Sequence, residues 1–424
     1  ILQKTATGKG KETAIVVGIV RPGQNRDVVN EYLDELELLA DTAGAQVVER
    51  VIQERQRLDP AYMLGRGKVE ELATMAKYLD ADLIIFDDDL SPAQVKNIES
   101  LCKNKILDRS GLILDIFAKN ARTRESRTQV ELAQLNYMLP RLTRQWTHLS
   151  RQVGGIGVRG PGETQLEVDR RLIRKRIRVL ENELEKIGKQ RSNRRKQRDD
   201  VFKAALVGYT NVGKSTILNA VTNAEVTVEN RLFATLDATI RGLELSDHRR
   251  VLLIDTVGFI RKLPHHLVAS FKSTLEEAAQ ADMLLHVIDV TSPTFREQMH
   301  TVDLVLKDLN IENKPILKVF NKIDKLQDRT LLSELKAAEQ PCVFISASRG
   351  IFINEMLERI RDFVEQEVRN MTVTVPIQAS KLLAQLHQIA DILNIEYVDS
   401  KAVVNLKTNA DNIQRIERLV TQNG

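Results

Sequence analysis

The chain has 424 residues, more than one ordinary core holds, and its 42 % apolar and 28 % charged content excludes a disordered or fibrous protein. Cys102 and Cys342 are too few for a disulfide framework and fit a reducing compartment, and no apolar run reaches the eighteen or so residues of a membrane span. The net charge of +4 and this composition lead to the expectation of a soluble, cytoplasmic monomer of several domains; the start at Ile1 leaves a preceding targeting segment open.

Residues 12–20 (ETAIVVGIV) read as a buried strand, followed by a helix over 27–43 with apolar Val28, Tyr32, Leu36 and Leu39. A strand at 46–52, a helix at 67–79, a strand at 82–87, a helix at 92–102 and a short strand near Ile106 and Leu107 follow. This alternation predicts an α/β domain with a parallel sheet over 1–110. Within it, Gly65-Arg66-Gly67-Lys68 opens a helix without the spacing of a phosphate loop, and Asp87-Asp88-Asp89 follows an apolar strand. A turn and a solvated loop are the first readings; a second nucleotide or RNA site is the alternative.

Leu132, Leu135, Leu139, Leu142, Trp146 and Leu149 step by three and four, and so form a heptad seam. Leu166, Ile173, Ile177, Leu180, Leu184 and Ile187 form another, after a break containing Gly154, Gly155, Gly157, Gly160 and Gly162. Two such helices predict an antiparallel hairpin over 111–200 with a Gly-rich tip, linking two globular domains, and Pro140 should kink or shorten its first helix. Between Ala121 and Asp200 stand 20 Lys+Arg against 10 Asp+Glu. Such a local excess of Arg points to a polyanion surface, with Arg159, Arg170, Arg171, Arg174 and Arg178 as RNA-binding candidates. The alternative is a solvated helical face.

From Val201 the strand–helix alternation returns. An apolar strand runs into Gly208-Tyr209-Thr210-Asn211-Val212-Gly213-Lys214-Ser215, and a helix follows. This pattern lets glycine backbone and a helix N-terminus cradle phosphates, with Lys214 on the β- and γ-phosphates and the Ser215 hydroxyl on magnesium. Phe233-Ala234-Thr235-Leu236-Asp237 has the place of a switch I, whose Thr235 should complete the magnesium shell; Thr239 is the competing threonine. Asp255-Thr256-Val257-Gly258 ends a strand, so that Asp255 can support Mg²⁺ through water and the Gly258 N–H can face the γ-phosphate.

Asn321-Lys322-Ile323-Asp324 ends another strand, and the Asp324 carboxylate can accept from the paired N1–H and N2–H₂ donors that guanine has and adenine lacks. Ser346-Ala347-Ser348 would close over the guanine O6. Four motifs in register over 201–368 read as a P-loop domain that binds GTP and GDP and hydrolyses GTP, with Lys214, Thr235 and Gly258 at the reacting phosphate. Phe259 stands where some GTPases use glutamine to orient water, so intrinsic hydrolysis should be slow. Asn211 resembles the asparagine that coordinates potassium in cation-activated GTPases; otherwise it stabilises the turn. Beyond this domain, 371–424 read as a small α+β unit, with a strand, a helix, two strands and a last helix.

The set GYTNVGKS, FATLD, DTVGF, NKID and SAS, preceded by GGIGVRGPGETQLEVDRR, resembles the HflX family of translation-factor-like GTPases over nearly the whole chain. The resemblance implies binding to the large ribosomal subunit and its rRNA, activation of hydrolysis by the ribosome, and a role in dissociating or rescuing ribosomes. The residues by themselves also allow a GTPase that drives a partner enzyme in RNA modification, or a protein-binding regulatory switch without RNA.

Overall fold

A computed structural model describes residues 11–142, 165–195, 201–222, 232–233, 235–245, 250–262, 277–327, 330–366, 368–376, 378–398 and 401–423. Arg159, Ala234, Trp146, Leu149 and the glycines of 154–162 lie outside them.

The N-terminal unit is a parallel sheet in the order β2-β1-β3-β4, from β1 (Glu12–Val20), β2 (Ala45–Glu54), β3 (Leu83–Phe86) and β4 (Lys105–Asp108). Alternate residues of β1 serve opposite layers: Ala14 and Val16 meet one core, Ile15 and Val17 the other. That is why this strand reads as an unbroken apolar run. α1 (Arg26–Ala43) starts where Asn25 accepts from the Asp27 N–H and ends at Gly44, whose φ of 93° is the left-handed cap conformation. α2 (Arg66–Tyr78) and α3 (Pro92–Cys102) cover the second face, α3 behind a Ser91–Gln94 capping box.

The sequence pattern passed over one element. α4 (Arg109–Asn120) is a helix buried along Arg109–Phe117 and packed with α1, so its apolar residues follow no one-sided period. It belongs to the core of the N-terminal unit. α5 (Arg124–Met138) and α6 (Gln165–Arg195) then form the arm. Leu132, Leu142, Ile173, Ile177 and Leu180 make its seam. The pairs Arg124–Glu183 and Arg176–Glu131, both at 2.7 Å, fix the helices antiparallel. Pro140 shortens α5: the helix stops at Met138 and a single 3₁₀ turn, Leu139–Arg141, follows.

The third unit is a six-stranded sheet in the order β10-β9-β8-β5-β7-β6, parallel except for β6. Its strands are β5 (Lys203–Gly208), β6 (Thr239–Glu244), β7 (Arg250–Asp255), β8 (Met283–Asp289), β9 (Ile316–Asn321) and β10 (Cys342–Phe344). Its helices are α7 (Lys214–Thr222), α8 (Phe295–Asp308), α9 (Thr330–Ala338) and α10 (Ile353–Gln366). The last unit pairs β11 (Val368–Pro376), β13 (Lys401–Asn409) and β12 (Asp391–Val398) in that order, antiparallel, with α11 (Ser380–Ile389) and α12 (Ala410–Asn423).

The arm is not the sole link between the first and third units. One apolar cluster runs from Ala14 and Phe117 through Phe233 into Leu206 and Val364, so the two sheets share a continuous core.

Candidate functional site

β5 delivers the P-loop. Gly208 (φ 152°) and Gly213 (φ 100°) adopt backbone that disfavours side chains, and a Cβ on them would strike the Val287 carbonyl and the Asn321 amide. Lys214 Nζ folds back over the loop, donating to the carbonyls of Gly208 at 3.2 Å and Tyr209 at 2.8 Å. Burial pulls its pKa down to about 8, opposed by the Asp255 carboxylate.

Three oxygens converge in front of it. Ser215 Oγ donates to Asp255 Oδ2 at 2.6 Å, and Thr235 Oγ1 lies 2.9 Å from Ser215 Oγ and 3.3 Å from that carboxylate oxygen. Asp255 is 0 % exposed, and its Oδ1 has no hydrogen-bond partner among the described residues. Burial pushes its pKa up, against Lys214, Ser215 and Thr235. A dry carboxylate with a spare oxygen beside two hydroxyls is an all-oxygen donor set that a hard divalent cation satisfies, and Mg²⁺ fits it. Thr239 instead begins β6, opposite Asp255 in the strand register.

The segment that follows Asp255, which has the place of a switch II, is laced onto the same loop. Phe259 N–H donates to the Gly208 carbonyl at 3.0 Å, and Thr210 N–H to the Phe259 carbonyl at 2.7 Å. Gly258 passes so close that a Cβ would lie 2.7 Å from Thr210 Cα. The Phe259 ring is buried in the core, Val257 is buried beside it, and Thr256 Oγ1 donates to the Leu206 carbonyl at 2.7 Å.

Asn321 and Lys322 both tie the NKID motif to the phosphate loop. Asn321 Nδ2 donates to the Val212 carbonyl at 2.8 Å, and its Oδ1 accepts from Ala347 N–H at 3.0 Å. Lys322 Nζ donates to the Asn211 carbonyl at 2.9 Å and to Asp289 Oδ2 at 2.6 Å. Asn211 itself has a φ of 61°, a left-handed turn position that Asn tolerates. Ser346 Oγ donates to Asp324 Oδ1 at 2.6 Å, with Arg349 3.3 Å from the other oxygen, and the Ser346 hydroxyl holds the Asp324 carboxyl below the usual range. Ser348 Oγ lies 3.4 Å from Ser346 Oγ, and Ile323 packs into a side cluster of the domain.

Four residues of the predicted nucleotide set turn their side chains elsewhere. Tyr209 Oη donates to Glu35 at 2.8 Å and accepts from Arg261 N–H at 2.8 Å. The Phe233 ring meets Phe117 edge-on, centroids 4.7 Å apart, while Leu236 is buried. Asp237 accepts from residues at the start of α5. Sequence reasoning missed Glu35, Phe117 and Thr123 because such contacts join distant parts of the chain and leave no local pattern.

Two members of the acidic triplet correct the sequence reading, while Asp89 is exposed as expected. Asp87 and Asp88 are 3 % and 7 % exposed rather than solvated. Asp87 receives Arg109 at 2.8 Å, Arg261 at 3.0 Å and Lys262 at 2.8 Å, and Asp88 receives Arg21 at 3.0 Å. Their oxygens are committed to the protein's own cations. Gly65 is the N-cap of α2, and Arg66 and Lys68 pair with Glu70 and Glu71. On the arm, Arg171, Arg174 and Arg178 are exposed on α6. Arg170 differs, donating to the Leu142 carbonyl at 3.1 Å, so it also stitches the hairpin.

Comparison with known proteins agrees with this geometry. Residues 30–118 match the family model "GTP-binding GTPase N-terminal", 120–198 "GTP-binding GTPase Middle Region" and 203–322 "50S ribosome-binding GTPase". The chain is 47 % identical over 384 residues to GTPase HflX of Flavobacterium psychrophilum, covering 86 % of this chain and 92 % of that one. It is 43 % identical over 399 residues to GTPase HflX of Escherichia coli, covering 93 % of each. The crystal structure of SsGBP with GDP is similar at a TM-score of 0.50 and 25 % identity, over 84 % of this chain and 99 % of that one. The chain belongs to the HflX family of P-loop GTPases.

Proposed function

We propose that this protein is a magnesium-dependent GTPase that binds the large ribosomal subunit through rRNA and dissociates or rescues ribosomes under control of the bound nucleotide. The convergence of Ser215, Thr235 and Asp255 in front of Lys214 carries the enzymatic half. Ser215 and Thr235 would hold the magnesium with support from Asp255, and the ion would offset charge on the β- and γ-phosphates. Lys214 and the P-loop N–H groups, with Gly258 facing the γ-phosphate, bind and orient the transferred group. Asp324, kept ionised by Ser346, selects guanine, and Asn321 holds that motif in register with the phosphate loop.

With the Phe259 ring buried, that position offers no side chain to orient water. Intrinsic turnover should then be on the order of 10⁻⁴ to 10⁻³ per second, the scale of a GTPase awaiting an activator. The ribosomal half is supported by the exposed arginines of α6 and by the 50S-binding description of the matching domain family. Co-sedimentation with 50S subunits in the presence of a non-hydrolysable GTP analogue or GDP tests it. Pelleting with the analogue and release with GDP is expected. Equal absence of pelleting in both states would leave a GTPase acting on another partner.

A further inference from the structure

Thr235 sits in a segment that the GTPase domain does not hold alone. Before it, Leu232 N–H reaches Thr42 Oγ1 at 3.4 Å, the Phe233 ring meets Phe117, and the Phe233 carbonyl accepts from Asn120 Nδ2 at 2.7 Å. The P-loop adds a bond from Phe233 N–H to Thr210 Oγ1 at 3.2 Å. After it, Asp237 accepts from the N–H groups of Arg122 at 3.1 Å and Thr123 at 3.2 Å, and from the Thr123 hydroxyl at 2.7 Å. The anchors lie two residues to either side, so Thr235 can travel only a few ångströms while both hold.

Thr123 has two tasks. It is the N-cap of α5, its Oγ1 accepting from Ser126 N–H at 3.1 Å, and the same hydroxyl gives its proton to Asp237. A hydroxyl has a donor and two acceptor sites, so both bonds are made at once. The Asp237 carboxylate therefore sits on the start of the arm's first helix, where the helix dipole favours an anion.

From this we infer that Asn120 and Thr123, which lie outside the GTPase domain, are positioning residues for the reaction: they fix Thr235 beside Ser215 and Asp255 through Phe233 and Asp237. The inference rests on the magnesium role of Thr235 proposed above. It also makes the root of the arm part of the switch. Whatever strains the arm must bias Thr235, and closure of Thr235 must bias the arm by the same free energy.

The discriminating variant is Thr123→Asp, because Asp is as good an N-cap as Thr but sets a second carboxylate against Asp237. In nucleotide-free protein, hydrogen exchange across 232–237 should rise about ten-fold, the scale of losing a charged hydrogen bond. Affinity for a fluorescent, non-hydrolysable GTP analogue with Mg²⁺ should fall about five-fold or more, with GDP affinity unchanged. Thr123→Ser should follow the parent. Asn120→Ala, which frees only the Phe233 carbonyl, should move the same readouts in the same direction and stands in if Thr123→Asp does not fold. Parent-like exchange and analogue affinity in both variants would overturn the inference, as would an equal loss for GDP and the analogue. Thr235→Ala separates the two levels. If it leaves analogue affinity unchanged, the magnesium reading fails; if it weakens binding while Thr123→Asp does not, the positioning inference alone fails.

Discussion

The molecule contains two α/β sheets, one parallel and one parallel except for β6, each with some strands that lead into acidic residues, and among the described residues one of those ends has the geometry of a candidate nucleotide site. In such folds ligands bind outside the carboxyl ends of the strands. At that end of the GTPase sheet stand a glycine loop, a buried lysine and Asp255 with a spare oxygen. At that end of the N-terminal sheet, Asp87 is filled by Arg109, Arg261 and Lys262, and Asp108 by Arg141, Tyr137 and the Gly111 and Leu90 N–H groups. The same architecture thus yields a site or a clasp, according to whether the chain supplies its own counter-charges. Arg261 and Lys262 follow directly on the Asp255–Phe259 segment that is hydrogen-bonded to the phosphate loop, so the clasp also grips that segment.

The sharpest way to break this contrast is to remove the lysine. Lys214→Ala should lower GTP turnover at least about 100-fold with the fold retained by circular dichroism. Parent-rate hydrolysis under magnesium would place the phosphate chemistry elsewhere.

The clasp should respond in the opposite manner. Asp87→Ala leaves Arg109, Arg261 and Lys262 short of a buried partner, and truncating one member of such a cluster costs about 3–5 kcal/mol. Chemical denaturation should show that loss, while GDP still binds. A variant as stable as the parent would mean that water replaces Asp87 at no cost.

Base selection should be smaller in energy. Asp324→Asn keeps an acceptor but turns a donor toward guanine's donors, a loss of about 1.5–3 kcal/mol in GTP affinity. Calorimetry that finds the parent affinity removes Asp324 from the base-reading role.

The arm is expected to give the mildest effect. Arg174→Gln with Arg178→Gln should flatten the slope of log ribosome affinity against log salt by a little under one unit per lost phosphate contact. Arg170 is left intact because it bonds the Leu142 carbonyl. An unchanged slope in pelleting assays would return these arginines to a solvated face.

Much of the candidate site's local structure was legible because each motif is local: GYTNVGKS, DTVG, NKID and SAS each stand at or just after the end of a strand. The alternation of the N-terminal sheet and the seams of the arm were legible for the same reason. What could not be read was anything made by distant residues. Nothing in Asp87-Asp88-Asp89 announces Arg261, and nothing in FATLD announces Thr123. Helix α4 escaped because burial on every side erases the amphipathic period that reveals a helix.

The contrast between the two sheets is tested most directly by the stoichiometry of GDP binding, measured by calorimetry on the parent, Lys214→Ala and Asp87→Asn proteins. One equivalent per chain is expected for the parent and for Asp87→Asn, with binding severely weakened in Lys214→Ala. A second equivalent in the parent, or one that disappears with Asp87→Asn while Lys214→Ala still binds, would contradict the account.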